Sequence, residues 1–222
     1  MSSQTLEKPI SAAKPEPSTS AFPRDRVVLI HGIASTKYLL LPLARRLRRD
    51  GFEPQLYGYF SLRGSIRDLG DQFAAKLHGL AAQNPDQTIH VVAHSMGSIV
   101  TRCALLDGMP DNLGRIVMVG PPNRGSDVAR KLTPPLGWIS PTLTELQDTP
   151  DSFVNALPRS VGKNEVGIVT AEHDYMVPAG STLLDDHTDE ITLPSLHTSI
   201  LWRTRTAEYV ARFLRTGRFT KQ

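Results

Sequence analysis

Ile89-His90-Val91-Val92-Ala93-His94-Ser95-Met96-Gly97-Ser98-Ile99-Val100 reads as a buried strand that runs through one sharp turn into a helix. The apolar and β-branched residues before the turn fit a parallel strand covered on both faces, and the small residues after it let a helix pack close. Ser95 sits at the turn. A serine in a strand-to-helix turn is often no more than a helix N-cap. Ala93-His94-Ser95-Met96-Gly97, however, is one position short of G-x-S-x-G, the tight turn that lifts a serine hydroxyl out of the sheet as a nucleophile. Ala93 stands where that pattern has its first glycine, and it is small enough for the turn.

Working outward, Val27-Val28-Leu29-Ile30 is another buried run, and it empties into His31-Gly32-Ile33. Leu39 to Arg49 has helical spacing, with apolar residues at 39, 40, 43, 44 and 47 and a solvated arginine face at 45, 46, 48 and 49. Phe52 to Tyr59 reads as a strand that leaves one tyrosine ring, Tyr59, to line a pocket. Ser65 to Asn84 reads as a helix stopped by Pro85. Downstream, strands are expected at Arg115 to Val119, Glu165 to Ala171 and Glu190 to Leu193, with a closing helix from Thr204 to Leu214. This alternation predicts an α/β fold: a doubly wound, mainly parallel sheet with helices on both faces and right-handed crossovers. Ligands of such sheets bind at the carboxyl ends of the strands, where His31-Gly32, Ser95 and Gly120 all fall. Between Asn123 and Asn164, five prolines interrupt short helical pieces such as Asp127 to Leu132 and Asp151 to Leu157, which predicts a short lid-like insertion. Within it Trp138, with Leu136, Ile139, Leu143 and Leu146, forms either a small satellite core or an apolar cover over a pocket.

The chain has 222 residues, 40% hydrophobic and 21% charged, which suits one domain over residues 25–222. Residues 1–24, rich in Pro, Ser, Thr, Lys and Glu, read as a disordered tail without the apolar stretch of a secretory signal. A cytoplasmic location is the expectation. With 25 Lys and Arg against 22 Asp and Glu, there is no basic field of the kind nucleic-acid binding needs. No run approaches the roughly 20 apolar residues that span a bilayer, so any membrane contact is peripheral. The single cysteine, Cys103, rules out an internal disulfide, offers no metal-ligand cluster, and is expected to pack as a small apolar residue. No metal or organic cofactor is implied.

A serine hydroxyl is a weak nucleophile at neutral pH and needs a base, which in turn needs an acid to hold its tautomer. Asp174 follows one strand and His197 the next, giving the order Ser, Asp, His at successive strand ends. His173 and His187 compete for the base, and Asp185, Asp186, Asp189, Asp148 and Asp151 for the acid. His31 and His94 are read as structural, the first holding its loop by a hydrogen bond and the second packed under the turn.

With the motifs Val28-Leu29-Ile30-His31-Gly32-Ile33, Ala93 to Gly97, Gly120-Pro121-Pro122-Asn123-Arg124-Gly125-Ser126, Asp174-Tyr175-Met176-Val177-Pro178 and His197, the sequence resembles the α/β-hydrolase superfamily, in particular its small lipase- and esterase-like members. The resemblance covers Val27 to the C-terminus. It implies a serine hydrolase that cleaves carboxylic esters, of small molecules or lipids, through an acyl-Ser95 intermediate with Asp174 and His197. It also implies that the backbone amides of Ile33 and Met96 hold the oxyanion. Tyr59, Trp138 and Val177 are the expected pocket residues. An acyltransferase using the same acyl-enzyme, or a binding protein of this fold without catalysis, is the alternative. Ala93 in place of the first glycine, and Ser98 where many lipases carry another glycine, depart from the family pattern.

Overall fold

The structure is a computed structural model that describes residues 24–138 and 140–220. Except for Arg24, the expected tail lies outside them. Six strands form one all-parallel sheet: β1 (Arg26–Ile30), β2 (Glu53–Tyr57), β3 (Ile89–His94), β4 (Leu113–Val119), β5 (Val166–Ala171) and β6 (Asp189–Leu193). Their spatial order is β2-β1-β3-β4-β5-β6. The chain therefore winds outward from β1 to β2 and then returns past β1 to β3, so the switch point lies between β1 and β3. His31-Gly32-Ile33 and Ser95 sit side by side at that point, because Ile30 pairs with Ala93.

The alternation of side chains along a strand divides the core in two. Val28, Ile30, Val91, Ala93, Ile116, Met118 and Ile168 face a layer that contains α2 (Ile66–Gln83) and α3 (Met96–Ala104). Val27, Leu29, Val92, Val117, Val119 and Val169 face the opposite layer, α1 (Leu41–Arg49) and α7 (Thr204–Thr216). Both faces being covered explains the consecutive apolar runs of the central strands, Val27 to Ile30, Val91 to Ala93 and Ile116 to Val119, in place of an alternating pattern. Cys103 is buried where α3 meets α2, and burial pushes its thiol up to about 11.

The differences from the sequence reading are local. The first helix starts as a 3-10 turn at Lys37–Leu40, and α1 proper begins at Leu41 with Pro42 in its first turn. The strand expected to reach Tyr59 ends at Tyr57, where its partner β1 ends at Ile30. Ser65 is the N-cap of α2 rather than its first residue: its hydroxyl accepts from the Asp68 amide while the Asp68 carboxylate accepts from the Ser65 amide.

In the insertion, α4 (Asp127–Leu136) runs through Pro134 and Pro135 instead of stopping at Leu132, followed by α5 (Pro141–Glu145) and α6 (Phe153–Ala156). The carbonyls these prolines leave without i+4 amides belong to Arg130 and Lys131, both exposed residues, which lowers the cost of continuing the helix. Arg102, 3% exposed on α3, fastens both ends of this insertion: its guanidinium donates to the Asn123 carbonyl at 3.0 Å and to the Leu157 and Pro158 carbonyls at 3.3 and 3.0 Å. Burial among carbonyl oxygens lowers its pKa to about 10. Among the described residues no helix is long and apolar enough to cross a membrane.

Candidate active site

Ser95 has φ 53° and ψ −128°, a backbone conformation that an L-residue holds only under strain from its surroundings. Here the strain is imposed from both sides. The Ser95 amide still donates to the Val119 carbonyl of the neighbouring strand at 2.9 Å, while the Ser95 carbonyl already accepts from the Ser98 amide at 2.9 Å as α3 begins. The turn also needs close approach. A Cβ on Gly97 would lie 2.6 Å from the His31 carbonyl oxygen, and one on Gly32 would lie 2.8 Å from the Ser95 Cβ. The two departures from the family pattern fit together: Ala93 is wholly buried against the core, and the Ser98 hydroxyl donates to its carbonyl at 3.2 Å.

Of the residues singled out in the sequence, the structure brings Ser95, His197 and Asp174 into one chain of contacts. His197 Nε2 lies 2.9 Å from Ser95 Oγ, and His197 Nδ1 lies 2.7 Å from Asp174 Oδ2. The Asp174 side chain is 2% exposed and that of His197 is 10% exposed. Burial raises the Asp174 carboxyl pKa, but the hydrogen bond and charge of His197, with the Val177 and Met176 amides donating to Oδ1 at 2.9 and 2.8 Å, outweigh it and hold the group below the usual range. Asp174 is thus an anion that accepts two backbone amides on Oδ1 and faces His197 with Oδ2.

The competing groups are engaged elsewhere. Asp186 accepts from the Val161 amide, Asp185 pairs with Arg159, Asp148 with Arg130, and Asp189 accepts from the Phe219 amide. His187 contacts Glu190 at 3.1 Å, and His173 is exposed.

The loop after β1 is held in a defined orientation. The Tyr59 hydroxyl donates to the His31 carbonyl at 2.7 Å, and its ring stacks on the imidazole with centroids 4.4 Å apart. His31 Nδ1 lies 2.8 Å from the Gly32 carbonyl, so that nitrogen must carry the proton. The Gly32 carbonyl and the Ile33 amide share one planar trans peptide and point in opposite directions. Fixing the carbonyl therefore fixes the Ile33 N–H, which has no acceptor among the described residues. Met96 opens α3, so its N–H is one of the first four that a helix leaves without an intrahelical partner. Two free amides at the mouth of the turn suit a site for negative charge.

An apolar cavity of about 50 Å³ opens beside the serine, lined by Ile33, Ser95, Pro122 and Ser126, by Val128, Ala129 and Leu132 of α4, by Leu143 and Leu146 near α5, and by Met176 and Val177. Val177, 2% exposed, is a wall of this cavity. Two other pocket expectations need correction. Tyr59 does not line it: pinned under His31, it faces a larger groove of about 520 Å³ that excludes Ser95. Trp138 does not line it either; it stands 84% exposed after α4 with its indole N–H donating to the Pro135 carbonyl at 3.2 Å. The α4 residues that line it are instead Val128, Ala129 and Leu132, at positions i, i+1 and i+4 on one side of the helix.

A doubly wound parallel sheet with a strained serine at its switch point, and a histidine and an aspartate from the last two strand ends turned toward it, is the architecture of the α/β hydrolases. The model of the alpha/beta hydrolase family matches residues 27–217, and the chain belongs to that family. No curated protein matches it by sequence. Among solved structures, it is similar to a lipase of Bacillus licheniformis in its mature form, at TM-score 0.69 and 16% identity over 95% of this chain and 96% of that one. It is also similar to lipase B of Aspergillus fumigatus, at TM-score 0.69 and 13% identity over 90% of this chain and 55% of that one. A lipase-esterase related protein of Clostridium acetobutylicum aligns at TM-score 0.59 and 12% identity over 86% and 93%. At these identities the likeness is one of fold.

Proposed function

We propose that this protein hydrolyses carboxylic esters through an acyl-enzyme formed on Ser95. The observation that carries the reading is the unbroken contact from Ser95 Oγ through His197 to a carboxylate below its usual pKa. In the first half of the reaction, Oγ bonds to the ester carbonyl carbon while its proton passes to His197 Nε2. The amides of Ile33 and Met96 receive the resulting oxyanion, a contribution of about 3 to 4 kcal/mol for each such donor. The carbon–oxygen bond to the alcohol then breaks, and the alcohol leaves with the proton from Nε2. In the second half a water attacks the acyl carbon, gives its proton to His197, and the carboxylic acid departs as Oγ regains that proton. Asp174 keeps the proton on Nδ1, so that Nε2 faces the serine, and stabilises the imidazolium. Substrates of this kind are small-molecule or lipid esters, with membrane contact limited to the periphery.

The test is covalent labelling by a fluorophosphonate probe alongside hydrolysis of p-nitrophenyl acetate. Both are expected in the unsubstituted protein and neither in Ser95→Ala. Labelling that persists in Ser95→Ala places the nucleophile elsewhere.

A further inference from the structure

The apolar cavity beside Ser95 is small. A volume of about 50 Å³ holds on the order of three to five water-sized groups, at about 10–15 Å³ each. His197 is not among its lining residues. The leaving oxygen must lie within reach of His197 Nε2 to be protonated, so the alcohol occupies the side where the half-exposed Leu196 borders solvent. The part of an ester that points away from His197, past Ile33 and into the cavity, is the acyl chain.

The far wall is also fixed in place. Leu143 and Leu146 are 8% and 3% exposed, and the segment that carries them is held at three points, one of them through Ser126, which is itself tied to the loop after β5. The Thr142 hydroxyl donates to the Ser61 carbonyl at 3.0 Å, and the Ile66 amide, at the start of α2, donates to the Glu145 carboxylate at 2.6 Å. The Ser126 amide donates to the Leu146 carbonyl at 2.9 Å, and the Ser126 hydroxyl to the Met176 carbonyl at 2.7 Å. Enlarging the cavity would break several of these contacts together. Leu132, 40% exposed, marks the open side.

We infer that Leu143 and Leu146, with Ala129 opposite, set the substrate class within the ester-hydrolase reading, restricting it to esters of acyl chains of about two to four carbons while leaving the alcohol unrestricted. The inference rests on that reading. Chain carbons beyond the limit have no space to enter, and a single misfitting methylene in an apolar pocket changes kcat/KM by about 10- to 200-fold.

The experiment measures kcat/KM for p-nitrophenyl acetate, butyrate, hexanoate and octanoate, all below micelle formation, in the unsubstituted protein, Leu143→Ala and Ala129→Val. Butyrate or acetate is expected to be the best substrate, with octanoate at least about tenfold poorer. Leu143→Ala should raise the octanoate-to-acetate ratio by about tenfold or more, and Ala129→Val should lower the butyrate-to-acetate ratio. The second variant adds atoms and reports with the opposite sign, so the test stands even should Leu143→Ala unfold. Octanoate matching butyrate in the unsubstituted protein, or ratios unmoved in the variants, overturns the inference while the hydrolase reading survives. Absence of any ester hydrolysis together with absence of fluorophosphonate labelling overturns both.

Discussion

The Nε2 of His94 lies 3.2 Å from the backbone carbonyl oxygen of His197, so the residue just before the strained serine holds the loop that carries the candidate base. A carbonyl only accepts, and Nε2 must therefore be the protonated nitrogen of a neutral ring. The two imidazoles are 5.0 Å apart, and His94 is 3% exposed. Burial first, and then the neighbouring His197, lowers the His94 pKa from 6.5 to about 3. A neutral His94 adds no charge beside an imidazolium forming on His197.

This lowering makes stability depend on pH. Below about pH 6.5 the unfolded chain protonates His94 while the folded one does not, so the unfolded state binds more protons and folding weakens as pH falls toward 3. At about 1.4 kcal/mol per unit, the loss between pH 6.5 and 4.5 is about 2 to 3 kcal/mol. Burial lowers His31 and His90 as well and adds to the same slope. Urea midpoints measured across this range should show it, and His94→Gln should flatten it.

Replacing His31 tests the orientation of the Ile33 amide. His31→Phe keeps a ring for Tyr59 to stack on and removes the donor to the Gly32 carbonyl. The expected result is a fall in kcat of about 10- to 100-fold, somewhat less than deletion of an oxyanion donor, with KM nearly unchanged. A rise in KM at constant kcat would point to a role in substrate binding instead.

Asp174 and Asp186 are both depressed carboxylates that accept backbone amides, and they should separate cleanly on mutation. Asp174→Asn should cost several orders of magnitude in kcat, as the same exchange did in a serine protease by about 10⁴-fold. Asp186→Asn, which loosens the Val161 turn, should leave kcat within about threefold and lower stability by about 1 kcal/mol. Steady-state kinetics and chemical denaturation of the pair decide the point.

The positive φ of Ser95 predicts a trade between stability and activity. Ser95→Gly relieves the strain and should raise the unfolding free energy by about 1 kcal/mol while abolishing ester hydrolysis. Ser95→Ala, which keeps a Cβ in the same strained conformation, should be equally inactive without that gain. Equal urea midpoints for the two variants would mean that the turn stores no strain.

The sequence by itself determined the layer order and the chain order of the chemistry. Strands with consecutive apolar residues are buried on both faces, and the strand-turn-helix around Ser95, with Asp174 and His197 past later strands, follows from local pattern alone. The boundaries were less legible, because β2 ends where its neighbour β1 ends and α4 continues through two prolines whose orphaned carbonyls belong to exposed residues. Only the tertiary structure showed what engages each competing acid, with Asp174 against His197 and Asp186 against the Val161 amide. It also moved Tyr59 beneath the loop after β1 and Trp138 out to the surface, and it placed Arg102 under the insertion. These are contacts between residues distant along the chain, and no local periodicity encodes them. Cavity size belongs with them: about 50 Å³ is what remains after α4, α5 and the Asp174 loop have packed, a difference between large volumes that no single segment carries.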